Sequence, residues 1–231
     1  MPSWILKLAH FWIHKVNPRI ASFIATVSTV GLLTCLVILY ILAQLSEEVL
    51  EQEAFSFDQS ILLWIRQFSN PVWDTVMLNI TRLGNPPILV LISLIAFSIL
   101  WGRRSYKEAK IFLLNGLGGS ILSHGLKLVF SKSRPQLWNS AISETSYSYP
   151  SGHALGSMVL YGFLAYLLAS FSPKYAKVYY GIAAILITLI GFSRLYLGVH
   201  WPTDVIAGYG VGFLWIFVCI TLLKLQKRKS F

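Results

Sequence analysis

Three short polar stretches interrupt an otherwise apolar chain of 231 residues. They are KLVFSKSRP at 127–135, PSGH at 150–153 and SRLYLGVHWPTD at 193–204. The side chains in them that could do chemistry are three cations, two imidazoles and one carboxylate: Lys127, Arg134, Arg194, His153, His200 and Asp204. This combination suits the binding of an oxyanion together with proton transfer.

The cations and a helix start could form a cradle for a phosphate group. Arg134 and Arg194 can each hold two phosphate oxygens with a planar guanidinium, and Lys127 adds a point charge. Ser151 and Gly152 directly precede a long apolar run, so they lie at a predicted helix N-terminus, where N–H groups and the helix dipole favour an anion. Gly152 has no side chain to block close approach.

The two histidines suit different steps of a group transfer. His200 lies four residues before Asp204, and Pro202 between them suits the first turn of a helix. If this turn is helical, Asp204 can accept the Nδ1 proton of His200, which leaves Nε2 free to act as a nucleophile. His153, from another helix, could then protonate the leaving-group oxygen as a general acid.

The composition indicates what scaffold must position these groups. The chain is 55% hydrophobic and 12% charged, whereas a soluble domain carries about a quarter charged residues. Several apolar runs reach the length of about 20 residues that a membrane-spanning helix needs. The sequence therefore predicts an all-α polytopic membrane protein with one domain over residues 1–231. Its six predicted spans are 20–43, 86–101, 108–130, 153–171, 176–196 and 203–223.

The segments outside these spans are expected to lie at the membrane surfaces. Residues 1–19 form a cytoplasmic or interfacial N-terminus, and residues 224–231 form a cytoplasmic tail. The acidic segment 45–85 has the pattern of an amphipathic helix that lies along the outer interface. For Lys132 and Arg82, the favoured interpretation is that a long charged side chain reaches from a span end to the interface.

The distribution of charge orients the chain. The net charge is +10, but the basic residues lie between hydrophobic spans rather than along one soluble face, which argues against a nucleic-acid partner. If the N-terminus is cytoplasmic, the inner segments carry 13 of the 19 basic residues: Lys7, Lys15, Arg19, Arg103, Arg104, Lys107, Lys110, Lys174, Lys177, Lys224, Lys227, Arg228 and Lys229. Basic residues accumulate on the cytoplasmic side of membrane proteins. We therefore predict cytoplasmic termini in a plasma membrane protein, with segments 131–152 and 197–202 on the extracytoplasmic face.

Taken in order, the three stretches resemble the signature of the type 2 phosphatidic acid phosphatase superfamily. The matching patterns are Lys-x6-Arg-Pro, Pro-Ser-Gly-His and Ser-Arg-x5-His-x3-Asp, without a substitution from Lys127 to Asp204. Each pattern alone is weak, but the three together are specific. The resemblance extends to the layout of six spans and so covers most of residues 20–223.

The resemblance implies a role for each matching position. His200 resembles the nucleophile that forms a phosphohistidine, Asp204 its orienting carboxylate, and His153 the acid that protonates the leaving group and later activates water. The residues that resemble the phosphate cradle are Lys127, Arg134, Ser151, Gly152 and Arg194. No metal or other cofactor is expected. The mechanism that the resemblance implies needs none, and the carboxylates are too few and too scattered for a two-metal site.

The expected partner is a lipid phosphate in the bilayer, which a site at the membrane boundary would meet with its tail still in the membrane. Phosphatidylglycerophosphate is favoured, then undecaprenyl diphosphate, then phosphatidic acid. Two alternatives remain open at this point: a lipid phosphotransferase, and a non-catalytic phospholipid transporter or scaffold. The sequence leaves the oligomeric state open.

Overall fold

The computed structural model describes residues 29–50, 56–140, 142 and 144–228. The predicted surface segment before residue 20 and the first part of the first predicted span, residues 20–28, lie outside the described residues. In the described part of the chain every regular element is helical, which confirms the predicted all-α class there. The helices are α1 (Thr29–Leu50), α2 (Ser56–Arg66), α3 (Pro71–Arg82), α4 (Pro86–Gly102), α5 (Tyr106–Phe130), α6 (Gly152–Phe171), α7 (Ala176–Tyr196) and α8 (Pro202–Arg228).

Four of these helices are long and apolar enough to cross a membrane. They correspond to α1, α6, α8 and to α7 together with the short 3₁₀ turn before it. A fifth span is possible if α3 and α4, which meet at a bend of 45°, count as one. Helix α5 has the length of a span, with 25 residues, but carries charges at both ends. The structure therefore supports a membrane protein, and the predicted number of six spans is not confirmed.

The region between the first and second predicted spans differs from the prediction. Helix α1 continues to Leu50, beyond residue 43, where the first span is predicted to end. Residues 56–82 then form two separate helices, α2 and α3, because Asn70 caps α3 with its side chain and Pro71 begins it. On α2, Leu62 is completely buried and Trp64 is exposed; the predicted position of this segment along the outer interface is not confirmed.

Helix α6 contains a π-helical turn at Met158–Gly162. A π turn widens the helix and leaves a backbone carbonyl without its usual partner. The side-chain amide of the buried Asn115 on α5 donates a hydrogen bond to the Val159 carbonyl at 2.8 Å. This contact fixes α6 against α5 in the middle of the main apolar cluster, which includes Phe112 and Phe163.

The N-terminal ends of α6 and α8 are in direct contact. The Ser151 N–H donates to the Asp204 carbonyl oxygen at 2.9 Å. A Cβ atom on Gly208 would lie 2.7 Å from the Ser151 carbonyl oxygen and 3.1 Å from the Leu155 nitrogen. Because both neighbours are backbone atoms, only a glycine lets the two helices approach this closely.

We therefore expect Gly208→Ala to separate the two helix ends. The expected result is a loss of stability of about 1–3 kcal/mol, as for other overpacked core positions, with a loss of activity. The measurement is the thermal unfolding midpoint in detergent together with the specific activity. Gly181→Ala on α7 is the matched control, because no atom lies within 4 Å of its Cβ position. Equal unfolding midpoints for the two variants would contradict the close contact.

Candidate active site

The structure brings the three polar stretches together at one end of the helical bundle. Lys127 lies in the last turn of α5, Arg194 in the last turn of α7, and Asp204 in the first turn of α8. His200 lies in the connection between α7 and α8, where Gly198 adopts a left-handed φ of 70°. A Cβ atom on Gly198 would lie 2.5 Å from the Trp138 ring, so glycine is needed there for two reasons.

His200 is held by a carboxylate on one side and a guanidinium on the other. Its Nδ1 atom lies 3.2 Å from Oδ2 of Asp204, which is the predicted contact. Its Nε2 atom lies 3.2 Å from Nη1 of Arg134. Because a guanidinium only donates, Nε2 must accept, so the proton of the neutral ring lies on Nδ1 and faces Asp204. This tautomer leaves a lone pair on Nε2.

The environment keeps His200 neutral at physiological pH. Burial lowers the pKa of His200 to about 4, because the lowering by burial, with the help of the nearby arginines, outweighs the raising effect of Asp204. The side chain is 1% exposed. A neutral imidazole whose Nε2 carries no proton is the form that can act as a nucleophile.

Asp204 is completely buried and has four neighbours that can donate. Besides His200, the Trp201 N–H donates to Oδ2 at 2.9 Å, and the Ser148 hydroxyl donates to the same oxygen. The ammonium of Lys132 lies 3.2 Å from the other oxygen, Oδ1. Sequence reasoning did not identify Ser148 or Lys132 as site residues. The only indication in the sequence was their position: Lys132 lies in the first polar stretch, and Ser148 lies just before the second.

Two arginines of the predicted cradle share one carboxylate. Arg194 donates to Oε1 of Glu144, and Nη2 of Arg134 lies 3.7 Å from Oε2 of the same residue. Partial burial opposes ionisation of Glu144, but the two arginines outweigh it, Arg194 most, and lower its pKa. The ionised carboxylate of Glu144 therefore occupies the two guanidinium groups that are candidates for binding a phosphate. Glu144 also was not identified from the sequence.

The remaining contacts of the cations are to neutral oxygen atoms. Arg134 donates to the carbonyls of Ser146 and Val199 at 2.8 and 2.7 Å, and Arg194 donates to Thr81 Oγ1 at 2.8 Å. Lys127 donates to the Ser146 hydroxyl at 3.2 Å and to the Tyr147 carbonyl. The loop at 144–148 therefore contacts all three cationic side chains, those of Lys127, Arg134 and Arg194.

The start of α6 matches only part of the predicted anion cradle. The Ser151 N–H is already bonded to the Asp204 carbonyl, and its hydroxyl accepts from the Ala154 N–H as the helix N-cap. Gly152 faces the cations, since a Cβ atom there would lie 3.8 Å from Lys127 Cε. The first N–H groups of a helix have no partner within it. The backbone donors that suit an anion are therefore those of Gly152 and His153.

The side chain of His153 lies next to these donors and is held by a residue at the start of another helix. Its Nε2 atom lies 2.7 Å from Oδ1 of Asn85, which is the N-cap residue of α4. With the amide oxygen facing the ring, Nε2 carries the proton. The three polar patterns do not include Asn85. His124 lies elsewhere: its Nδ1 contacts the Ser120 carbonyl within α5 at 2.9 Å, so it takes no part in the site.

Comparisons with known proteins place this geometry in a family. A family model described as the PAP2 superfamily matches residues 108–228. Phosphatidylglycerophosphatase B of Bacillus subtilis is 33% identical over 167 residues, which cover 71% of this chain and 81% of that protein. An undecaprenyl-diphosphatase of Sulfolobus acidocaldarius is 50% identical over 68 residues, which cover 29% of this chain and 30% of that protein.

A solved structure agrees with these matches. The transmembrane PAP2-type phosphatidylglycerolphosphate phosphatase of Bacillus subtilis superposes with a TM-score of 0.76 at 28% identity, and the match covers 85% of this chain and 96% of that one. The matched region includes the buried histidine, its carboxylate and the cations around them. The chain therefore belongs to the PAP2 superfamily and is a membrane phosphatase of that family.

Proposed function

We propose that this protein removes phosphate from a membrane lipid through a phosphohistidine formed on His200. The observation that carries the proposal is the arrangement of this side chain: Nδ1 faces Asp204, and Nε2 faces a guanidinium. A nucleophilic nitrogen next to a fixed cation suits attack on a phosphorus atom whose oxygens carry negative charge.

The proposed reaction has two steps. In the first, the Nε2 lone pair of His200 bonds to phosphorus and the bond between phosphorus and the lipid oxygen breaks. His153 enters this step protonated on both ring nitrogens, with Nε2–H on Asn85, and gives its Nδ1 proton to the lipid oxygen. In the second, His153 accepts a proton from water, the water oxygen bonds to phosphorus, and the bond to Nε2 breaks. Inorganic phosphate leaves, and both histidines return to their first state.

The cations and backbone groups are proposed to stabilise the charge on the transferred group. Arg134 is already 3.2 Å from the nucleophilic nitrogen, so it is placed to bind an equatorial oxygen. Arg194, Lys127 and the N–H groups at the start of α6 would bind the others.

The described residues contain no group of three or more His, Cys, Asp or Glu that could hold a metal ion. The proposed mechanism therefore assigns charge stabilisation to these side chains.

The substrate is proposed from the names of the relatives. One relative, matched over 71% of this chain, is a phosphatidylglycerophosphatase, and two relatives matched over 29% and 63% of it are undecaprenyl-diphosphatases. We therefore rank phosphatidylglycerophosphate first, undecaprenyl diphosphate second and phosphatidic acid third. A phosphotransferase would use the same first step with a lipid hydroxyl in place of water, and a product assay separates it from a hydrolase.

The first experiment measures phosphate release from each of these lipids by the purified protein in detergent. His200→Ala is expected to abolish turnover of every lipid while vanadate still binds, because the cations remain in place. Phosphate release near the wild-type rate by His200→Ala would remove the phosphohistidine mechanism. Transfer of phosphate to a second lipid without release would favour the phosphotransferase.

The same assay with His153→Ala tests the proposed general acid. Loss of a general acid costs about 10²–10⁴-fold when the leaving group is a poor one. With p-nitrophenyl phosphate, whose leaving group needs little protonation, the first step should recover in His153→Ala but not in His200→Ala. If His153→Ala is equally impaired with both substrates before the steady state, another residue is the acid.

The site is proposed to face the extracytoplasmic side, with both ends of the chain in the cytoplasm. Asn139 lies in the loop beside the site, and Lys174 lies in the connection between α6 and α7; both are exposed. In a background without Cys35 and Cys219, an impermeant thiol reagent on intact cells should label Asn139→Cys and not Lys174→Cys. Labelling only at position 174 would invert the topology.

Glu144 is proposed to compete with the substrate for the arginines. Its carboxylate contacts both Arg134 and Arg194, so a phosphate that binds there must displace it. A partly exposed ion pair of this kind is worth about 1 kcal/mol, which corresponds to about fivefold in affinity.

We therefore expect Glu144→Gln to lower the inhibition constant for vanadate and the KM for lipid phosphate about fivefold. Glu47→Gln, on the exposed face of α1, is the matched control and should leave both constants unchanged. Both are measured in steady-state assays at low salt. Weaker vanadate inhibition in Glu144→Gln would show instead that this carboxylate holds the arginines in their binding positions.

A further inference from the structure

Lys132 lies between two buried carboxylates that belong to different helices. Its ammonium is 3.2 Å from Oδ1 of Asp204 on α8 and 3.9 Å from Oδ2 of Asp58 on α2. It also donates to the Thr203 hydroxyl at 3.0 Å. The expectation that Lys132 merely reaches to the interface is therefore wrong, because the side chain is directed inward and is 16% exposed.

Asp58 attaches the start of α8 to α2. Its Oδ1 accepts the Thr203 N–H at 3.0 Å, and its Oδ2 accepts the Thr203 hydroxyl at 2.7 Å. Thr203 is the second residue of α8, so its N–H has no partner within the helix. The carboxylate of Asp58 therefore caps α8 from outside, one residue before Asp204.

The charges around Asp204 make Lys132 hard to replace. Asp58 and Asp204 have side chains that are 4% and 0% exposed, and buried carboxylates are costly unless a cation or donors compensate them. Oδ2 of Asp204 receives the ring of His200, the Ser148 hydroxyl and a backbone N–H. On Oδ1, the neighbouring charge is the Lys132 ammonium.

The backbone fixes Lys132 in this place. The Lys132 carbonyl accepts the Ser148 N–H at 2.9 Å, so the two residues that contact opposite oxygens of Asp204 are themselves paired. The rings of Tyr149 and Trp201 lie 5.8 and 5.9 Å from the Lys132 ammonium, within the range of cation–π attraction. The ammonium is thus enclosed on several sides.

We propose that Lys132 and Asp58 are positioning residues for the reaction at His200. Lys132 holds Oδ1 of Asp204, so that Oδ2 stays directed at Nδ1 of His200 and the carboxylate stays ionised when the ring gains positive charge. Asp58 holds the first turn of α8, which carries Asp204. This inference rests on the proposed phosphohistidine mechanism. Lys132 lies at a position that the first family pattern leaves unspecified, and Asp58 lies outside all three patterns.

The test compares Lys132→Met, Lys132→Arg and Asp58→Asn with Lys174→Met, a matched control at an exposed position away from the site. Lys132→Met should lower kcat about 10- to 100-fold, as expected for a small misplacement of a catalytic group. The KM for lipid phosphate and the inhibition constant for vanadate should change little, because the cradle cations are untouched. Lys132→Arg should recover most of the activity, and Asp58→Asn should lower kcat in the same way.

The pH dependence separates positioning from a general loss of stability. In the described part of the chain, Lys132 and His200 contact Asp204 directly. The charged or titratable groups farther out are Asp58, Lys127, Arg134 and Tyr149. Without the ammonium the buried carboxylate binds a proton more readily, so the acidic limb of kcat should move to higher pH in Lys132→Met. An unchanged pH profile with a lower unfolding midpoint would overturn the proposal in favour of a structural role.

A double-mutant cycle provides the decisive comparison. If Lys132 acts through Asp204, adding Lys132→Met to Asp204→Asn should change kcat less than about twofold, because coupled residues are not additive. A full further loss in the double variant would overturn the proposal. His200→Ala, measured in parallel, distinguishes a failure of the phosphohistidine mechanism from a failure of this inference alone. If His200→Ala is active, the phosphohistidine mechanism fails and this inference fails with it. If His200→Ala is inactive while Lys132→Met has the kcat of wild type, only this inference fails.

Discussion

The carboxylate of Asp204 is the group on which the rest of the site depends. It is fully buried in the first turn of α8; its Oδ2 receives a ring N–H, a hydroxyl and a backbone N–H, and its Oδ1 forms an ion pair with an ammonium at 3.2 Å. A buried carboxylate with fewer partners would be expensive. The need to compensate this one charge explains why side chains from the α5–α6 loop, the α7–α8 connection and the start of α8 meet at one point.

The same carboxylate links the helices to the chemistry. The Asp204 backbone carbonyl accepts the Ser151 N–H, which ties the start of α8 to the start of α6 and its candidate anion donors. Gly208 allows this approach, and the capping of Thr203 by Asp58 fixes α8 from the other side. Rigid elements that hold the groups in advance are what a charge-stabilising site requires. The orientation of His200 is therefore a property of the bundle and not of one loop.

The polar patterns predicted a large part of this site because they concern residues close together in sequence. The spacing of four between His200 and Asp204 indicated their contact, and the helix start at residues 151–153 followed from an apolar run after a capping serine. Asn85, Asp58 and Glu144 could not be found in this way. Each acts on a residue 50 or more positions away, as with Glu144 and Arg194 or Asp58 and Thr203. Such contacts follow from the packing of whole helices.

The central claim is that the phosphoryl group is transferred to His200, and direct trapping of the intermediate tests it. The purified protein is mixed with a lipid phosphate that carries radioactive phosphorus, quenched in alkali within one turnover, and digested for mass spectrometry. The account predicts label on the peptide that contains His200 in wild type and none in His200→Ala. With radioactive p-nitrophenyl phosphate, whose leaving group needs little protonation, it predicts more label in His153→Ala than in wild type, because only the second step is then slowed. Rapid turnover by the wild-type protein without any label on this peptide would contradict the claim and favour direct attack by water.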